Sequence, residues 1–205
     1  VPLYDMEQPN NGQVKINFIH ALSKFEFYAK TSEAVSDSRE YSIEKISFEH
    51  VAYNGIFKYP ASIQSSVSDA LNNYSVIPNY EELREYILLN TDYIIDSPIT
   101  KSDGTVAIIR DNLNFFLIPQ LIDRDSENIK DVKITVIYSY TDDEDVKHTL
   151  TIQNNLSGIL RGLKSIEICK RYKLTFVLSE LSGDFNIDTE ILPWDVKIID
   201  VPSFD

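Results

Sequence analysis

The amino-acid sequence predicts an all-β fold in which two sheets pack face to face, and three observations carry that expectation. Residues 132–140 alternate without interruption, with Val132, Ile134, Val136, Tyr138 and Tyr140 on one face, the period of two that marks a half-buried strand. In the stretch from 14 to 28 the alternation changes phase: Val14, Ile16 and Phe18 share one parity, while Phe25, Phe27 and Ala29 share the other. A strand that kept its register would turn its second apolar set to water. The residues around HALSK, 20–24, must therefore absorb one position, through a bulge or through a bend that carries the chain from one sheet to the next. Both devices belong to a sandwich. Composition agrees, because twelve Tyr and ten Phe against six Gly favour strands.

Size and charge narrow the function classes. At 205 residues with 43% hydrophobic content, the chain suits one enlarged domain spanning 1–205 with a sizeable core. A formal charge of −13 disfavours a phosphate backbone as partner, since nucleic-acid binders present a basic face. A single cysteine, Cys169, excludes an internal disulfide; its neighbours Ile166 and Ile168 predict a buried, inert thiol. No apolar run is long enough to cross a bilayer as a helix. The chain starts Val1-Pro2, without Met or a basic and apolar leader, which fits a processed chain or a domain cut from a longer one.

Taken in order, residues 1–13 read as a lead-in with two Pro and a Gly. The two alternating runs follow, then a Ser-rich, charged loop over 30–42. In ISFEHVAYNGIFKY, Ile46 and Phe48 alternate with Ser47 and Glu49, and Asn54-Gly55 predicts a tight hairpin with Ile56 and Phe57 starting the return strand. Residues 60–111 read as an insertion. Within it Asn79, Glu82 and the stripe Leu83, Tyr86, Ile87 predict a short helix with a capping box, and a minor strand is expected near 106–109. FFLIPQ is a strand ended by Pro119. After TDDED, Val146, His148, Leu150 and Ile152 return in phase with 132–140, an antiparallel hairpin. Tyr172, Leu174, Phe176 and Leu178 form another strand, and ILPWDVKIIDV reads as the last, with Trp194, Val196 and Ile198 on one face.

These pieces resemble, in their order, the C-terminal part of the fimbrillin-like proteins, the type V pilins and associated tip or anchor proteins of Bacteroidales. VKINFIHALSKFEFYAK carries most of the likeness; ISFEHVAYNGIF, FFLIPQ, RYKLTFVLS and Trp194 add to it by their sequence order. The resemblance implies a Greek-key, transthyretin-like β-sandwich, here with a short helix in the inserted region. It also implies a non-enzymatic role: an exported, outer-membrane-associated subunit or accessory of a surface fimbria, serving cell adhesion. Its partners would be other pilus subunits joined by β-strand addition, with membrane contact only through an anchor, often a lipid, outside this chain. No cofactor is implied. The interface candidates are Val14, Ile16, Phe18, Phe25 and Phe27 beside an acceptor groove, and Val196, Ile198 and Val201 on a donor strand, whose alternate side chains would fill pockets.

Other chemistry finds little support. His20, His50 and His148 fall on separate segments, and a metal or catalytic centre needs them to converge. The acidic run Asp142, Asp143, Glu144, Asp145 lacks the spacing and Gly of a calcium loop, so a solvated tip explains it. Ser23 and Ser157 have no base or elbow motif beside them. The alternative of a different class is a secreted carbohydrate-binding module, with Tyr28, Tyr53, Tyr138 and Tyr140 or the 60–111 insertion facing a host or bacterial surface glycan or protein. Packing accounts for the same tyrosines.

Overall fold

The structure is a computed structural model, and it describes residues 14–18, 20–36, 38–58, 74–89, 98–108, 115–123, 130–180, 186–194 and 197–201. Strands dominate: β1 Val14–Phe18, β2 Ser23–Thr31, β3 Tyr41–Ala52, β4 Gly55–Lys58, β5 Ser75–Pro78, β6 Leu83–Leu89, β7 Val106–Ala107 and β8 Phe115–Leu117. There follow β9 Gln120–Leu121, β10 Lys133–Thr141, β11 Lys147–Asn155, β12 Ser165–Ile166, β13 Lys170–Leu178, β14 Asn186–Pro193 and β15 Lys197–Val201. One sheet has the order β11-β10-β3-β6 and the other β14-β13-β2-β7, with β8 also pairing β2. Between β2 and β3, between β6 and β7, and from β11 to β13 the chain crosses from sheet to sheet. The all-β sandwich that the alternation predicts is therefore the fold.

The two inner faces meet through aromatic rings. Phe25 and Phe27 of β2 approach Phe48 of β3 edge-on, at 5.6 and 5.9 Å between centroids, and Phe115 closes on Phe48 at 5.3 Å. Tyr172 stacks on Phe25 at 4.9 Å because β13 runs parallel to β2, with Tyr172 opposite Phe25 and Leu174 opposite Phe27. Offset and edge-to-face pairs of this kind add to the burial of the rings. Tyr138 keeps its hydroxyl satisfied inside the core by donating to the Ser179 carbonyl at 2.8 Å.

The hairpin β10–β11 forms in the expected register, Val136 opposite Ile152 and Tyr138 opposite Leu150. The phase change falls where the chain changes ladder: β1 pairs with β15 outside the two sandwich sheets, and from Ser23 the chain runs in the sheet of β13 and β14, so the bend does not pass from one sandwich sheet to the other.

Three local expectations are overturned. Leu83–Leu89 is strand, not helix: Asn79 Oδ1 accepts the Glu81 N–H in a local turn, and β6 then pairs with β3, Phe48 opposite Tyr86 and Ala52 opposite Leu83. The sequence LREYILL suits either period, and the ladder with β3 decides it. Among the described residues the inserted region holds one helical turn, Lys101–Asp103; another described short helix, Leu156–Ile159, lies outside it. Asn54-Gly55 does not return the chain along β3. Gly55 opens β4, which pairs with β5, and a Cβ there would sit 2.6 Å from the Ile77 carbonyl oxygen, so close approach explains the glycine. The last run is not one strand either, since β14 ends at Pro193 and β15 belongs to another sheet.

Candidate functional site

The ends of the described chain meet each other. β1 and β15 pair antiparallel, Val14 opposite Val201, Lys15 opposite Asp200, Ile16 opposite Ile199, Asn17 opposite Ile198 and Phe18 opposite Lys197. Neither strand pairs with a strand of either sandwich sheet or with any other described strand. A two-stranded ribbon of this length is marginal by itself in water.

Its base is built from aromatic stacking. Trp194 lies just before β15 and His20 just after β1, and their rings stack at 3.6 Å with 4° between planes. Phe116 of β8 stacks on the same indole at 5.4 Å and 6°. The main chain at Trp194 is fixed as well, for its N–H donates to the Cys169 carbonyl at 2.9 Å and its carbonyl accepts from the Cys169 thiol at 3.4 Å. Cys169 is a buried free thiol held in the left-handed region, φ 57°. Phe116 of this stack remains partly exposed, 41%, as does Leu22 in the bend between β1 and β2, 37%.

The residues expected at a subunit interface divide into three groups. Val14, Ile16 and Phe18 lie on β1, and Ile198 and Val201 lie on β15, directly across the ladder from it. Val196 falls outside the described residues. Phe25 and Phe27 are 1% and 2% exposed and surrounded by Phe48, Phe115 and Tyr172, so they sit inside the sandwich core rather than along a groove. Sequence reasoning placed the terminal strands but not their mutual pairing. A signal was available: with Lys15 set against Asp200, Val14 and Ile16 fall opposite Val201 and Ile199.

The histidines occupy three separate settings. His20 stacks on Trp194, His50 Nδ1 lies 3.0 Å from the Asp131 carbonyl, and His148 Nε2 lies 2.6 Å from Asp142 Oδ2. Among the described residues no group of three His, Cys, Asp or Glu is placed to hold a metal ion. Asp142 organises the β10–β11 tip: its Oδ1 accepts the N–H groups of Glu144 and Val146, both at 2.9 Å. The His148 contact, then the Val146 N–H, hold its carboxyl down at about 2. The four tyrosines of the glycan alternative do not gather. Tyr138 is buried in the core, Tyr140 stacks on His148, Tyr53 lies under the Arg84 guanidinium, and Tyr28 lies under the Lys173 ammonium.

No protein-family model matches the chain, and no curated protein matches it in sequence. Among solved crystal structures, a Bacteroides uniformis protein assigned to cell adhesion is similar with a TM-score of 0.45 and 9% identity, over 94% of this chain and 70% of its own. A fimbrial protein from Bacteroides vulgatus gives a TM-score of 0.45 and 11% identity, over 86% of this chain and 55% of its own. The chain thus spans about half the length of that fimbrial protein.

Proposed function

We propose that this chain is a non-enzymatic subunit or accessory of an exported surface pilus, a single enlarged sandwich domain that joins its neighbours by β-strand addition. The observation that carries the reading is the β1–β15 ribbon, a ladder set apart from both sandwich sheets. Among the described strands, β15 is held in register by β1 alone. A neighbour's β15 offers the same backbone groups in the same register, so exchanging one for the other re-forms each pair without opening the sandwich. A contact of that kind is head-to-tail, and when its rotation does not close it builds a fibre.

In this reading Val14, Ile16 and Phe18 belong to the acceptor strand, and Val196, Ile198 and Val201 to the donor. Phe25 and Phe27 act from beneath, by keeping β2 fixed below the bend. The resemblance of VKINFIHALSKFEFYAK to the fimbrillin-like proteins supports the same assignment, together with an outer-membrane location and an anchor outside this chain. The test is deletion of residues 197–205, followed by mixing with intact subunits and measurement of fibre length by electron microscopy and of mass by light scattering. The shortened chain keeps an acceptor and lacks a donor, so it is expected to stop fibre growth. Unchanged polymer formation refutes the proposal.

A further inference from the structure

A cleft of about 750 Å³ opens on the flank of the sandwich, between the end of β11, the start of β14 and the single helical turn after β11. Its walls include Asn154, Arg161, Asn186 and Thr189, above Ile159 and Ile187, which pack against the core. The side chains of Asn154, Arg161 and Thr189 make no hydrogen bond or ion pair among the described residues. Others along the cleft are already engaged: Asp188 with Lys30 at 2.7 Å, Gln153 with Glu49 and Thr135. Asn186 also donates to Asp188, at 3.4 Å, so the polar groups left over are one amide, a hydroxyl and a guanidinium. Arg161 is also held at φ 57°, with Gly162 following at φ 79°. The left-handed end of a helix is a place where glycine or asparagine is the unstrained choice.

From this geometry we infer that the cleft binds a short saccharide bearing a carboxylate, at a site independent of the terminal ribbon. The Asn154 amide donates and accepts from one plane, which suits neighbouring sugar hydroxyls, with the Thr189 hydroxyl beside it on the cleft wall. A guanidinium matches a carboxylate in bidentate fashion. Two half-buried isoleucines offer a floor for the C–H face of a pyranose ring, and the volume lies within the roughly 300–1,000 Å³ of small-molecule sites. A donor strand fits poorly, because it needs apolar pockets at alternate positions and meets amides here. Nucleic acid is disfavoured by a net charge of −13.

The test is calorimetric titration of the full chain with 3′-sialyllactose and with trigalacturonate, against lactose as the neutral control. Binding of either acidic probe at least tenfold tighter than lactose is expected, and whichever arm responds identifies the source of the carboxylate. Arg161→Gly relieves the left-handed strain, so it is expected to melt no lower than the parent while losing at least tenfold in affinity. Gly158 borders the cleft, and a Cβ there meets nothing within 4 Å, so Gly158→Phe fills the space without displacing the chain and is expected to abolish binding. Equal binding of lactose, no response to either acidic probe, or full affinity in Arg161→Gly overturns the inference.

Discussion

Replacing Gln120 by Leu tests whether a side chain completes the ladder where β10 stops. β3 pairs with β10 as far as Glu49, opposite Lys133; then His50 turns to φ 60° and the register with β6 shifts. Beyond this break Gln120 takes the place of a strand. Its Oε1 accepts the Ala52 N–H at 2.9 Å, and its Nε2 donates to the carbonyls of Ala52 and Ile118, both at 3.2 Å. Gln120 is 3% exposed and Ala52 is 0% exposed, so water cannot replace these bonds. Leu has nearly the same volume but leaves the Ala52 N–H and C=O without partners, at about 1–3 kcal/mol for each buried group. The greater apolar character of Leu returns about 1 kcal/mol. The net expected loss is about 3 kcal/mol, or about 6–12 °C in Tm for a protein of this size. Urea denaturation at constant m-value measures it directly. Gln153→Leu is the control: its amide bonds to Glu49 and Thr135 on an exposed position, so its change should stay within about 0.5 kcal/mol. A loss below about 1 kcal/mol for Gln120→Leu, or parity between the two variants, refutes the reasoning.

Two further outcomes follow from local geometry. The Asp142 carboxyl lies at about 2, against an ordinary value of 3.8, chiefly because of His148. Its folded pKa is depressed, so its small contribution is fully present above 3.8 and is lost as pH falls through about 2. In His148→Ala the carboxyl should titrate closer to the ordinary value, read from the carboxyl carbon by NMR; an unmoved midpoint contradicts the assignment. Gly55→Ala should open the β4–β5 ribbon, since the added Cβ meets the Ile77 backbone oxygen at 2.6 Å. Amide exchange should then quicken in β4 and β5 and stay slow at Leu174, whereas uniform exchange across the chain would show the ribbon to be part of the sandwich core.

How much of this was legible in the sequence depends on how local the deciding interaction is. β10, β11 and β13 were legible because one face of each carries an unbroken apolar set: in β13 that set is Tyr172, Leu174, Phe176 and Leu178, all fully buried. β6 was not, because Leu83, Tyr86 and Ile87 also fall on a helical stripe, and only the register with Phe48 and Ala52 chooses between the two. Phe25 and Phe27 look the same in the sequence whether they line a groove or a core. Their depth depends on β13 lying parallel to β2 and on Phe48 arriving from the opposite sheet. The strand character of β1 and β15 could be read; their partnership had only the match of Lys15 to Asp200 to mark it, since alternation states that a strand has two faces and not which strand lies beside it. The cleft was the least visible feature. Its residues are ordinary turn and edge residues, and they gather only when the start of β14 is brought beside the end of β11.

The ribbon and the cleft lie toward opposite ends of β14, because Asn186 borders the cleft and Trp194 follows the last residue of the strand. Eight residues of extended chain separate those two positions by about 25 Å. Along that length β14 is paired with β13 from Val177 opposite Asn186 to Lys170 opposite Pro193, so loosening one end does not release the other. Each proposed activity therefore supplies the control for the other. The chain lacking residues 197–205 should keep the saccharide affinity of the parent while losing fibre extension, and Gly158→Phe should extend fibres normally while binding no saccharide. If both properties fell together in either variant, the sandwich itself would have been damaged and neither assignment would stand on that result. If each variant lost its own property alone, strand exchange at one end of β14 and ligand capture at the other would be separate functions of one rigid strand pair.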